Sequence, residues 1–348
     1  MTGTTDAPRL ARHLLTLDDG HQAGVAVCGQ GVPLVLVHGF TAEGILYAQT
    51  LARLVKMGFK VVAIDVAGHG GTQGLPTGGD DLASYVALLG RVLDRLGIEG
   101  AALAGHSLGG RLVTQLAAEQ PDRAMAVVLV DACVGETWDR LIGVSRFAPP
   151  VLVGIGAVLL ADTLSTLPVL RAPGQALKLG RLVAPTLAGH ALRPWRMLGP
   201  GVSLVRSSPS RPLLVRLAER GVPVVVIHGD RDLVVPYWTA RDAARDAHGW
   251  LVTVHGGTHS WVLKDPETLP GITAELLRGP LGALHDEFMT AAGLDPATAT
   301  PAEVEDLFID RDALVRQLTP EWAPPAIPGP INPPRYRWTI QPPAASPA

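Results

Sequence analysis

The stretch AALAGHSLGG (101–110) passes from an apolar, strand-like run through the pentapeptide Gly105-His106-Ser107-Leu108-Gly109 into a helix-forming segment. The pentapeptide fits G-x-S-x-G. On a strained strand-to-helix turn, a serine presents its hydroxyl at the end of a sheet, and the flanking glycines leave room for the tight backbone. Five residues of this form also arise by chance, so the surrounding chain decides.

Outward from this turn, strand-like runs alternate with longer amphipathic stretches. PLVLVHGF (33–40) is followed by a helical stretch from Glu43 to Met57, closed by Gly58. KVVAIDVAGHG (60–70) precedes a second helix, Asp80 to Leu96, stopped by Gly97. After the run 101–107 come a helix over Gly109 to Glu119 and a further strand, AVVLVDA (126–132). Such alternation predicts an α/β fold, a mostly parallel sheet with helices on both faces. It breaks at Val134 and resumes with PVVVIHGDRD (223–232), a helix near Trp238 to Ala247, and WLVTVHGG (250–257). The expected organisation is therefore a core from residues 1–133 and 211–279, with residues 134–210 inserted as a helical cap. A C-terminal helical extension (280–319) follows, in which Thr300-Pro301-Ala302-Glu303 reads as a capping box. The tail, 320–348, holds ten prolines in 29 residues and reads as extended on the surface or disordered.

A serine hydroxyl is a weak nucleophile that needs a general base, itself oriented by an acid. Those partners are expected at the ends of later strands. Two loops supply them: His228-Gly229-Asp230-Arg231-Asp232 and Gly256-Gly257-Thr258-His259. His259, beyond two glycines, is preferred as base over His255, which closes the strand and reads as packed. Asp232, just before the apolar Leu233-Val234-Val235-Pro236 turn, is preferred over Asp230, with Asp131 a second candidate acid. The chain order serine, acid, histidine suits the G-x-S-x-G turn. A negative oxygen on the attacked carbon needs donors. The backbone N–H of Leu108, at a helix N-terminus, and that of Phe40, in the HGF loop, are the expected oxyanion hole.

Composition excludes several classes. A near-neutral net charge of −3 argues against a dedicated nucleic-acid binder, which needs a basic face for phosphate contacts. Cys28 and Cys133 are the only cysteines and lack metal-site spacing, so neither a disulfide framework nor a metal centre is expected. The first 20 residues hold no apolar run of signal-peptide length. The longest uncharged apolar run, Ala148 to Ala161, has 14 residues, against about 20 for a membrane span. A cytoplasmic protein is expected, with peripheral membrane contact left open.

VLVHGF, DVAGHGGT, GHSLGG, HGDRDLVVP and GGTHSW, in this order, resemble the α/β-hydrolase superfamily over about residues 14–279. The resemblance implies an eight-stranded sheet, a Ser107–Asp232–His259 triad and a helical cap inserted after the sixth strand. Ser107 sets the chain apart from members with an aspartate nucleophile, and His38, His69 and His106 are expected to shape loops. The implied activity is that of an esterase- or lipase-like serine hydrolase acting on a small-molecule ester, needing neither metal nor organic cofactor. Thioester or carbon–carbon cleavage and acyl transfer use the same triad. A non-catalytic binding protein with the tail as docking segment, Pro325-Ala326-Ile327-Pro328 having the bare P-x-x-P spacing, is the reading from another class. The cap bears eight basic against three acidic residues. Its strip Leu152, Val153, Ile155, Val158, Leu159 and Leu160 is a candidate acyl-tunnel lining, and the acidic stretch Asp286 to Asp312 is a candidate partner for the basic cap.

Overall fold

The computed structural model describes residues 9–40, 44–75, 81–166, 195–320 and 329–344. Its centre is a nine-stranded sheet. In chain order the strands are β1 (Ala11–Thr16), β2 (Gln22–Cys28), β3 (Val32–Val37), β4 (Phe59–Ile64), β5 (Ala101–His106), β6 (Ala124–Val130), β7 (Val224–Gly229), β8 (Trp250–His255) and β9 (Arg337–Gln341). In space they lie in the order β1-β2-β4-β3-β5-β6-β7-β8-β9. The run from β4 to β8 is parallel, whereas β1, β2 and β9 pair antiparallel. The chain leaves β3 towards β4 on one side and returns to place β5 on the other. The crevice beyond the carboxyl ends of β3 and β5 is thus the switch point at which such sheets bind ligands.

Helices α1 (Ala48–Lys56), α2 (Leu82–Leu96) and α3 (Leu108–Glu119) connect the first parallel strands. Gly97, with φ +71°, ends α2 in the left-handed conformation that its missing Cβ permits. Alternate residues of each strand feed two apolar cores. Val35, Val37, Leu103 and Val127 pack beneath α2 and α3, while Leu34, Leu36, Val225 and Ile227 face α1.

After β6 the insertion begins with α4 (Glu136–Ser145) and α5 (Pro149–Leu164), and its described part resumes with α6 (Trp195–Arg206). Its two ends meet: the Gly135 N–H donates to Ser210 Oγ at 2.8 Å, and Asp139 accepts from the Ser210 N–H at 2.7 Å. Residues 167–194, with Arg171, Lys178, Arg181 and Arg193, lie outside the described residues, as does the Pro325–Pro328 element. Beyond the insertion come α7 (Arg211–Glu219), α8 (Tyr237–Asp246), α9 (Trp261–Lys264), α10 (Thr268–Arg278), α11 (Pro280–Ala291), α12 (Pro301–Glu305) and α13 (Leu314–Leu318).

One expectation is corrected. The sheet has nine strands, not eight, because residues 337–341 of the proline-rich tail pair with β8 from Leu251↔Gln341 to His255↔Arg337. Trp338 and Ile340 alternate towards the body, and the Trp338 indole N–H donates to Glu275 at 2.8 Å, so this part of the tail has its own apolar anchor. Among the described residues, acids of the extension pair with the core and with the extension itself. Glu305 meets Lys60 of β4, and Asp306 meets Arg311 and Arg316. The capping box at Thr300 and Glu303 is present.

Candidate active site

Ser107 sits between β5 and α3 with φ +55° and ψ −119°, a conformation that costs a residue with a Cβ about 1–3 kcal/mol. The neighbours impose it. The Ser107 N–H donates to Val130 O at 2.9 Å, and Ser107 O accepts from the Cys133 N–H at 3.0 Å, tying the turn to the end of β6. The glycines of the pentapeptide are needed for close approach. A Cβ on Gly105 would lie 2.4 Å from Gly109 O, and one on Gly109 would lie 2.1 Å from Val37 O.

His259 brings Nε2 to 3.0 Å from Ser107 Oγ, and its Nδ1 donates to Asp232 Oδ2 at 2.7 Å. With Nδ1 carrying that proton, Nε2 of the neutral ring is free to accept from the serine hydroxyl. The second carboxylate oxygen of Asp232 accepts from the N–H groups of Val234 and Val235 at 2.8 and 2.9 Å, so the Leu-Val-Val turn orients the acid. All three side chains are buried, Ser107 at 5%, Asp232 at 5% and His259 at 1% exposure. Burial alone would raise the Asp232 pKa and lower that of His259. Their mutual attraction outweighs it, holding the carboxyl below and the imidazole above their ordinary values.

The alternatives lie elsewhere. Asp230 binds the Gly256 N–H and His255, and His255 is exposed, not packed as its strand-end position suggests. Asp131 is buried behind Asp232 and accepts from the Gly229 N–H at 2.9 Å. Between them lies His228, 3.4 Å from Asp232 Oδ2 and 3.8 Å from Asp131 Oδ1. These three side chains have the spacing of a metal-ligand set. His228 Nε2, however, donates to Val235 O at 2.9 Å, and burial of the ring is outweighed by the two carboxylates, which raise its pKa. His228, set between Asp131 and Asp232 and bonded to the Val235 carbonyl, reads as a brace behind the site.

Leu108 is the first residue of α3, where a backbone N–H has no partner within its helix. The HGF loop lies against Ser107, since a Cβ on Gly39 would come within 3.0 Å of Ser107 Cβ. Histidines fix this loop. His38 Nδ1 donates to Gly39 O at 2.7 Å while its Nε2 accepts from the Val66 N–H, and His69 Nε2 donates to Phe40 O at 2.6 Å. In a trans peptide the N–H points opposite to its carbonyl, so holding Gly39 O sets the direction of the Phe40 N–H. His106 Nε2 donates to His259 O at 3.0 Å and its Nδ1 bonds the Tyr47 hydroxyl at 2.8 Å. Burial and the charge of His259 push the His106 pKa down to about 3, so the ring stays neutral and positions its neighbours.

Cys133 Sγ is 3.7 Å from Ser107 Oγ, and burial pushes its thiol up to about 12, leaving no thiolate to compete with the serine. The sequence carries no signal for Tyr47 or for Asp162. Asp162, on helix α5 of the insertion, accepts from the Ser260 N–H at 2.7 Å and from Lys264 Nζ at 3.2 Å, tying that helix to the loop that carries His259. His228, by contrast, opens the quoted HGDRD segment, and its position at a strand end marks it.

Above Ser107 remains a crevice of about 20 Å³, bordered by Phe40, Leu46, Leu159, Thr163 and Leu263. Of the expected cap strip, Leu159 reaches it, while Val153 and Leu160 are 73% and 56% exposed. Among the described residues no helix is long and apolar enough to cross a membrane.

Residues 32–151 match the family model for the alpha/beta hydrolase fold. The chain is 32% identical over 286 residues to a putative non-heme haloperoxidase of Mycobacterium phage D29, spanning 80% of this chain and 98% of that protein. It is 26% identical over 243 residues to a monoacylglycerol lipase of Mycolicibacterium smegmatis, across 67% and 82% of the two chains. Among solved structures it is similar to a bacterial membrane phospholipase A, with a TM-score of 0.57 and 21% identity over 75% of this chain and 83% of that one. The switch-point sheet, the strained serine turn and a relative matched over nearly its whole length lead to one assignment: the chain belongs to the α/β-hydrolase fold family.

Proposed function

We propose that this α/β hydrolase cleaves carboxylic esters with an apolar, lipid-like acyl group, using Ser107 as nucleophile, His259 as general base and Asp232 as its orienting acid. The observation that carries the reading is the hydrogen-bonded series Ser107 Oγ–His259 Nε2–Nδ1–Asp232. Ser107 Oγ attacks the acyl carbon as His259 Nε2 takes its proton. Asp232 holds the resulting imidazolium, and the Leu108 and Phe40 N–H groups receive the negative oxygen. His259 returns the proton to the leaving alcohol, and the acyl-enzyme is hydrolysed by a water that the same imidazole deprotonates. Losing one oxyanion donor typically costs about 10²–10³ in rate.

The apolar acyl preference is supported by the crevice walls, Phe40, Leu46, Leu159 and Leu263. A space of about 20 Å³ holds little more than one water, so an ester enters only when α5 lifts with its Leu159. Hydrolysis of nitrophenyl esters of increasing acyl length, by the parent and Ser107→Ala side by side, tests the reading. Activity that vanishes in the variant and peaks at one chain length is expected. Unchanged activity in Ser107→Ala would sink the mechanism, and inactivity of the parent on every ester would shift it to thioester, carbon–carbon or acyl-transfer chemistry.

A further inference from the structure

On the α1, α10 and α11 side of the sheet lies a cavity of about 640 Å³. Parallel sheets are ordinarily buried on both faces, yet β5 and β6 are sealed on one face only. Leu103, Val127 and Leu129, under α2 and α3, are 0% exposed. Ala102, Ala126 and Val128, facing the other way, are only half-buried. Side-chain size is the reason: Ala102, Ala104, Ala124 and Ala126 make a floor of methyl groups, and helices α10 and α11 roof it without reaching down.

A dry apolar cavity of about 150 Å³ already binds benzene, and ligand pockets run to roughly 300–1,000 Å³. At the inner end Tyr47 and His106, bonded to each other, divide this cavity from the Ser107 crevice, which both also border. The outer end is marked by exposed Glu99 and Asp122, and by Leu284 and Phe288, which are 40% and 42% exposed. No lysine or arginine is among the described lining residues, and the imidazole between Leu284 and Phe288, His285, faces Asp286 at 3.4 Å, so the carboxylates of Glu99 and Asp122 favour a neutral head group over a fatty-acid carboxylate.

We infer that this cavity is a second binding site, separate from the Ser107 crevice, for the aliphatic chain of a neutral single-chain lipid such as a long-chain alcohol. The inference does not depend on the chemistry proposed for Ser107.

Calorimetric titration of dodecan-1-ol and of dodecanoate into the full chain tests it. The alcohol binds one per chain, and the carboxylate at least about tenfold more weakly, as like charges at the mouth require. Ala102→Leu combined with Ala126→Phe fills the floor. It weakens alcohol binding by about thirtyfold or more, because several methylenes lose their contacts, while hydrolysis of a short nitrophenyl ester is retained. A dodecanol bearing a diazirine, photolysed on the unaltered chain, labels peptides of α10 and α11. Labelling confined to α5 and Leu263, undiminished binding in the filled variant, equal binding of dodecanoate, or no binding of the alcohol overturns the inference. The photolabel needs no variant, so misfolding of the double substitution does not shelter it.

Discussion

Lys60 on β4 and Glu305 on α12 form an ion pair at 3.0 Å with both side chains 2% exposed. Glu305 also accepts from the Gly31 N–H at 3.1 Å and lies 3.4 Å from Arg316 Nη1. Burial holds the Lys60 ammonium below its ordinary pKa despite the carboxylate beside it, so the charge depends on its partner. At an effective dielectric of about 20, opposite charges at this separation attract by about 5–6 kcal/mol, most of which offsets desolvation. Glu305→Gln removes the attraction and keeps the buried ammonium, and such half-broken pairs lose about 3–5 kcal/mol of stability. Lys60→Met with Glu305→Leu removes both charges and is expected within about 2 kcal/mol of the parent, the residue being the lost acceptor for Gly31 and Arg316. Urea unfolding at constant slope measures both. The sign with pH follows. The folded pKa of Lys60 lies below 10.5, so the unfolded chain binds more protons and stability rises with pH up to that value. Without Glu305 the folded pKa falls further, and the deficit of the single variant shrinks as pH rises. A cost for Glu305→Gln below about 1 kcal/mol, or a double variant worse than the single one, refutes the reasoning.

Asp232→Asn is expected to lower kcat about 10⁴-fold by leaving His259 in the wrong tautomer, while far-UV circular dichroism stays unchanged. The His259 pKa is raised from 6.5 by Asp232 against the penalty of burial, and the base works only when unprotonated. The acidic limb of kcat/KM is therefore expected above pH 6.5, and a limb below it contradicts the geometry. Ser107→Gly, free of the positive-φ strain, is expected to be about 1–3 kcal/mol more stable than Ser107→Ala in urea although both are inactive. Asp162→Ala removes charge-assisted bonds that contribute about 1.5–3 kcal/mol each, so limited proteolysis of the insertion between β6 and α7 is expected to quicken tenfold or more.

The strands and turns that carry the site are legible because each is a short apolar run that meets a glycine at its end. GHSLG, HGDRD and GGTH announce three strand ends directly, and the parallel order follows from the helices between them. The edge strand at 337–341 hides among prolines, where composition masks the five-residue alternation of Trp338 and Ile340. The Lys60–Glu305 pair joins residues far apart in the chain, and no local pattern marks either partner. Asp162 is invisible for a similar reason: a single acid at the end of an apolar helix gains meaning only when the helix folds onto Ser260 and Lys264. The large cavity has no signature at all, since alanines in a strand read as ordinary packing until the opposing helices are seen to stand off.

Strand β9 lies along the free side of β8, and the loop bearing His259 begins where β8 ends. An uncovered edge strand is a template for pairing with another chain, so residues 337–341 act as the molecule's selvedge. A protease that cut between α13 and β9 would leave Ser107 untouched. It would nonetheless expose β8 to pairing between copies and loosen the strand that leads to His259, so colloidal behaviour and turnover would fail together from one nick far from Ser107.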